Sequence, residues 1–118
     1  MSALNITLKV QPTADKPVIY KLVRGSFGPD NVINFTIQTS LGGVYDLTGK
    51  TASLILLHKV TKNAVFDKGL TIVAPASGTA KYEPKEGDFS FLNIYYLRLR
   101  IKDVDNETFT ERVLFQVV

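Results

Sequence analysis

The sequence predicts an all-β protein, an immunoglobulin-like antiparallel β-sandwich of about 8 to 9 short strands. Apolar residues recur mostly at every second position, which is the period of a strand rather than of a helix. Gly, Pro, Asn or Asp interrupts the chain roughly every ten residues, a spacing typical of sandwiches and small barrels. Because the chain has only 118 residues, residues 1–118 are predicted to form a single β-sandwich domain.

Three stretches show the alternation of apolar and polar residues most clearly: 4–10, 33–38 and 97–102. Each is predicted to be a strand with one face in the core and the other in water. In the last stretch, the polar face carries Arg98, Arg100 and Lys102. That strand should therefore present a row of cations outside the core.

Two segments, 52–57 and 113–118, are apolar at nearly every position and are predicted to be central strands of the core. Shorter runs of β-branched or aromatic residues predict four further strands: 18–23, 64–66, 70–73 and 79–82. A short helical turn is expected at 86–92.

Two hairpins are predicted from the turn signals between these strands. The first joins 51–58 to 64–66 through the loop 59–63. The second joins 93–102 to 107–118 through a tip at 103–106, where Asp and Asn side chains can accept hydrogen bonds from their own backbone.

The composition excludes several classes of mechanism. The chain has no Cys, no Trp and a single His, His58, so cysteine nucleophiles, thiolate metal sites and iron–sulfur clusters are impossible. An enzyme would have to use carboxylates such as Asp46 and Glu83, whose spacing favours no acid–base pair. We therefore predict a non-enzymatic protein with no cofactor and no metal ion.

No apolar stretch approaches the roughly 18 to 20 residues of a membrane helix, since the longest aliphatic run covers only residues 54–57. The first residues have neither the basic region nor the apolar region of a secretory signal. We therefore expect no membrane partner, and synthesis in a cytosol.

The cationic strand is a possible interface. Arg98, Arg100 and Lys102, with Tyr96 two residues earlier, could contact phosphates, single-stranded nucleic acid or an acidic protein surface. The 14 Lys and Arg exceed the 11 Asp and Glu by only three, which is little for nucleic-acid binding. We predict no nucleic-acid partner.

The aromatic residues leave a carbohydrate-binding module open as an alternative function. Such modules present exposed rings that stack on sugars, preferably Trp. Neighbouring Tyr95 and Tyr96 must point to opposite faces of their strand, so one of them is expected to be exposed or at an interface. A saccharide is thus a possible partner.

The acidic tip at 103–107 supplies oxygen atoms at close spacing, as a Ca²⁺ site does. It lacks the Gly and the distant bidentate Glu of a calcium-binding loop, and we interpret it as a polar hairpin tip.

The segment Tyr45-Asp46-Leu47-Thr48-Gly49 is predicted to be a structural turn. The Asp46 carboxylate can accept hydrogen bonds from the backbone around Thr48, and Gly49 tolerates a positive φ. Tyr45 and Leu47 flank the turn and are expected to fasten it to the sandwich.

This turn and its surroundings resemble a known family. The segments 31–38 and 45–51, leading into 52–57, and the later stretches 65–67, 70–73, 78–82, 93–101 and 108–117 follow in order the pattern of the N-terminal domain of the baseplate upper protein family, from tailed phages of Gram-positive bacteria. The resemblance extends over roughly residues 31–118. It centres on the sequence Asp-Leu-Thr-Gly in the turn.

The resemblance implies a non-catalytic virion structural module of a phage tail or baseplate. Its expected partners are other phage tail and baseplate proteins, and a homo-oligomer is expected. The implied location is the virion, after assembly in the bacterial host cytoplasm. The alternative is a carbohydrate-binding module that contributes to recognition of the host cell surface.

Overall fold

The computed structural model describes residues 4–10 and 16–118, and within these ranges the chain folds into two β-sheets that pack face to face. These residues contain ten strands and no α-helix, so the predicted all-β sandwich is confirmed. The strands are β1 (Leu4–Lys9), β2 (Ile19–Leu22), β3 (Ile33–Gln38), β4 (Thr51–His58), β5 (Ala64–Gly69), β6 (Thr71–Ala74), β7 (Thr79–Tyr82), β8 (Asn93–Lys102), β9 (Glu107–Phe109) and β10 (Val113–Val117).

The first sheet has the strand order β1-β3-β7-β6, and the second has the order β2-β10-β8-β4-β5, with β9 paired to the end of β8. With β3, β4, β6, β7, β8 and β10 taken as strands B to G, the two sheets contain the orders B-E-D and C-F-G of an immunoglobulin sandwich. The chain changes sheet between β5 and β6, around Leu70, whose N–H donates to the carbonyl of Ala52 at 2.8 Å.

The prediction of a purely antiparallel sandwich of eight to nine strands needs correction in two respects. β1 pairs with β3, and β2 with β10, in parallel. The two-residue alternation has the same period in parallel and antiparallel strands, so it does not encode direction. The structure also divides the predicted strand 107–118 into β9 and β10.

The break between β9 and β10 has a clear cause in hydrogen bonding. The N–H of Glu111 donates to the carbonyl of Lys9 at 2.8 Å, and its carboxylate accepts the N–H of Lys9 at 3.0 Å. At Glu111 the chain therefore hydrogen-bonds to β1 of the first sheet instead of to β8, and it pairs with β8 again in β10. Buried Thr110 maintains the contact with β8, because its hydroxyl accepts the N–H of Leu99 at 2.9 Å.

The core lies between the sheets and is formed by the inward side of each strand. Phe35 of the first sheet and Phe115 of the second are at most 1% exposed. Phe89, from the segment between β7 and β8, stacks on Phe66 and also contacts Phe115, with ring centroids 5.4 Å apart in both pairs. The expected helical turn at 86–92 is instead a hydrogen-bonded turn without a helix, which places Phe89 in the core.

Both predicted hairpins are present. β4 pairs with β5 around the loop that contains Lys62, and β8 pairs with β9 around the tip. His58 caps the first loop, since its Nδ1 accepts the N–H groups of Val60 and Thr61 at 3.2 and 3.3 Å. The carboxylate of Asp103 caps the tip in the same way.

Candidate interaction surfaces

The turn at 45–49 is closed by its own side chains. Oδ1 of Asp46 accepts the N–H and the hydroxyl of Thr48 at 2.9 and 2.6 Å, and these bonds lower the pKa of the Asp46 carboxyl. Gly49 has a φ of +75°, a conformation that favours glycine. The N–H of Lys50 then donates to the carbonyl of Leu47 at 2.9 Å.

Backbone contacts fasten this turn to the first sheet. Leu47 is 1% exposed in the core, and its N–H donates to the carbonyl of Pro75 at 2.8 Å. The chain passes so close to Gly78 that a Cβ there would lie 2.6 Å from the carbonyl oxygen of Tyr45 and 2.7 Å from that of Ile37. The turn is thus held against the first sheet by a backbone hydrogen bond and by close backbone packing. The sequence pattern alone did not indicate that position 78 requires glycine.

The turn and the acidic hairpin tip meet at one end of the sandwich. Between them lies an open polar cleft of about 320 Å³, lined by Tyr45 and Lys50 on one side and by Asp103 and Asn106 on the other. Oδ1 of Asp103 accepts the N–H groups of Asp105 and Asn106, which lowers the pKa of that carboxyl. The described part of the chain contains no group of three or more His, Cys, Asp or Glu side chains that could hold a metal ion.

The predicted cationic row lies on the outer face of the second sheet. Arg98, Arg100 and Lys102 alternate along β8 with buried Leu99 and Ile101. The Arg100 guanidinium forms a bidentate ion pair with Asp67 of β5, with N–O distances of 3.0 and 3.2 Å.

Two further cations on this face, Lys62 and Arg112, form cation–π contacts with an aromatic ring. The Nζ of Lys62 lies 4.7 Å from the ring centroid of Tyr96, and the guanidinium of Arg112 lies 4.3 Å from it. Arg98 stacks on Phe109 at 4.2 Å. Such contacts are stabilising because the ring face is electron-rich. Burial, and then the charge of Arg112, lower the pKa of Arg98.

The two tyrosines of β8 point to opposite faces, as predicted. Tyr95 packs partly buried against the core, whereas Tyr96 lies on the outer face beneath Lys62 and Arg112. These cations come from the β4 side and the β10 side of β8, so they approach the Tyr96 ring from two directions. A sugar could stack on Tyr96 only by displacing a cation, and saccharide binding stays a prediction.

Comparison with known proteins gives one informative result. No family model and no curated protein sequence matches the chain. The class of fold is nevertheless shared with solved structures. One of these is the N-terminal domain of phage TP901-1 ORF48, which superimposes with a TM-score of 0.78 over 99% of this chain and 98% of that chain. The sequences are 16% identical, so the match establishes a common fold.

Across residues 4–10 and 16–118, the structure holds no helix with the length and apolar character that a membrane crossing requires.

Proposed function

We propose that the protein is a non-catalytic structural module of a phage tail or baseplate, which assembles with or attaches other tail subunits. The observation that carries this proposal is the similarity, over nearly the whole of both chains, to the N-terminal domain of phage TP901-1 ORF48. The order of segments in the sequence, which resembles the baseplate upper protein family, points to the same role.

The surface chemistry agrees with a role in binding other proteins. The Asp46 carboxylate, the Thr48 hydroxyl and the N–H of Leu47 are engaged in bonds within the turn or with the sandwich, and the core is filled by packed side chains. The edge strands β5 and β6 present backbone N–H and C=O groups on one side, and such edges can pair with another chain. We propose that residues 1–118 form one β-sandwich domain that joins a homo-oligomer and lies in the virion, after assembly in the bacterial host cytoplasm.

The test is the protein composition of purified particles. Phage particles from a lysate of the bacterium that expresses the gene would be banded by density and their tails analysed by quantitative mass spectrometry. The proposal predicts that the chain is present in the tails at a fixed ratio to other tail proteins. Presence of the chain in the lysate but not in the particles would refute it.

Light scattering of the purified protein during size-exclusion chromatography tests the second part of the proposal. An oligomer is expected. A strictly monomeric protein that binds host cell-wall polysaccharide would refute the assembly role and favour the carbohydrate-binding alternative.

A further inference from the structure

The outer face of the second sheet holds more positive charge than the whole molecule. We define the basic face as the outward side of β2, β10, β8, β9, β4 and β5. Together with Lys62 and Arg112, which lie over Tyr96 from two connecting loops, it carries six cations against two carboxylates, a surplus of four, whereas the complete chain has a net charge of +3. These residues are Lys21, Lys62, Arg98, Arg100, Lys102 and Arg112, with Asp67 and Glu107. The remainder of the chain therefore has a slight negative charge.

Several of these cations are already held in place. The ring of Tyr96 contacts Lys62 and Arg112, and the ring of Phe109 contacts Arg98. Arg100 forms an ion pair with the carboxylate of Asp67. Lysine and arginine side chains normally lose conformational entropy when they bind a partner. Side chains that are restrained before binding lose less, so the basic face is organised in advance for contact.

The basic face is also partly apolar. Ile55 and Leu57 lie on the outer side of β4, yet they are only 4% and 6% exposed, because neighbouring side chains cover them. Leu114 of β10 is half-buried beside Tyr96. Arginine and tyrosine above an apolar floor are typical of the residues that dominate the energy of protein–protein interfaces.

The same features disfavour a nucleic acid as the partner. Sites for single strands expose aromatic rings on which bases stack, whereas cations already lie over Tyr96 and Phe109.

We propose that the basic face docks on a carboxylate-rich surface of another tail protein. This inference rests on the proposed function and adds the surface and the chemistry of the partner. Carboxylates that arrive over β8 would form charge-assisted hydrogen bonds with its arginines. The surplus of charge would also steer the two surfaces together and select against basic partners.

Zero-length carbodiimide crosslinking of purified particles tests the proposal, because this reagent joins a lysine amine to a carboxylate only where the two groups touch. Mass spectrometry should find links from Lys21, Lys62 or Lys102 to Asp or Glu of a different tail protein. Links to another tail protein from Lys81, on the outer side of the first sheet, with none from Lys21, Lys62 or Lys102, or links only between copies of this chain, would overturn the inference and leave the proposed function intact. Absence of the chain from the particles would overturn both.

A matched pair of variants supplies an independent readout. Lys21→Glu with Lys102→Glu reverses two exposed charges on the basic face, and Lys81→Glu with Lys85→Glu makes the same change in net charge elsewhere on the exposed surface. Incorporation into particles should fall at least about tenfold for the first pair and stay unchanged for the second. Equal incorporation of both variants would refute the proposal, provided that their thermal midpoints match. Binding of a fluorescent oligothymidylate at physiological salt that the first pair abolishes would reassign the face to nucleic acid.

Discussion

Replacement of Gly78 by alanine should destabilise the protein far more than the same replacement at Gly49. Both glycines have positive φ, +68° and +75°, so each alanine costs about 1 to 2 kcal/mol of backbone strain. At Gly49 the added methyl group meets no atom within 4 Å, whereas at Gly78 it would lie 2.6 Å from one backbone oxygen and 2.7 Å from another. Relief of that overlap requires a backbone shift, which typically costs about 1 to 3 kcal/mol more. The total for Gly78→Ala is therefore about 2 to 5 kcal/mol.

Urea denaturation followed by circular dichroism measures both variants against the parent. The free energy of unfolding should fall by about 1 to 2 kcal/mol for Gly49→Ala and by at least about 1 kcal/mol more for Gly78→Ala, with similar denaturant slopes. A Gly49→Val variant should lose about 1 to 3 kcal/mol. Equal losses for the two alanine variants would show that the segment around Tyr45 does not lie against Gly78, and an unchanged Gly49→Val would show that the turn is wrongly assigned.

Three further predictions concern polar groups. Thr110→Val should lose about 1 to 3 kcal/mol in urea denaturation, because the N–H of Leu99 loses its acceptor; an unchanged midpoint would contradict this role. Since hydrogen bonds lower the pKa of Asp46 below 3.8 in the fold, its contribution to stability is present above that pH and lost as the pH falls through the folded pKa. Asp46→Asn should therefore reduce the loss of stability as the pH falls below about 4, and identical pH profiles would refute this. Burial and the bond to Asp88 raise the pKa of Tyr82 above 10.0, so stability should fall as the pH rises beyond about 10. Tyr82→Phe should abolish that part of the alkaline loss, and an unaltered alkaline profile would count against it.

The sequence predicts the faces of the strands better than their arrangement. Alternation correctly placed Leu97 and Leu99 in the core and Arg98 outside it, because burial imposes the two-residue period directly. It did not predict that β1 pairs with β3 in parallel, because side chains alternate with the same period in parallel and antiparallel strands. Gly49 and Gly78 also look alike in the sequence. Only the packing of Tyr45 over one of them shows that position 78 has no room for a side chain.

The candidate surface was predictable only in part. The cations on β8 lie at every second position of a single strand, so the sequence alone is sufficient to place them on one face of the sheet. Lys62 and Arg112 belong to distant segments, and they reach Tyr96 only because β4 and β10 flank β8 in the folded sheet. The ion pair between Arg100 and Asp67 likewise depends on the pairing of strands. Contacts of this kind need the tertiary structure.

Electron cryomicroscopy of the purified tail tests the central claim most directly. A map in which the side chains are visible should contain this β-sandwich as a regular part of the tail or baseplate, with the side of β8 that carries Arg98 against an acidic surface of a neighbouring protein. A complete tail map in which every density is accounted for by other proteins would contradict the claim that this chain is a structural component of the particle.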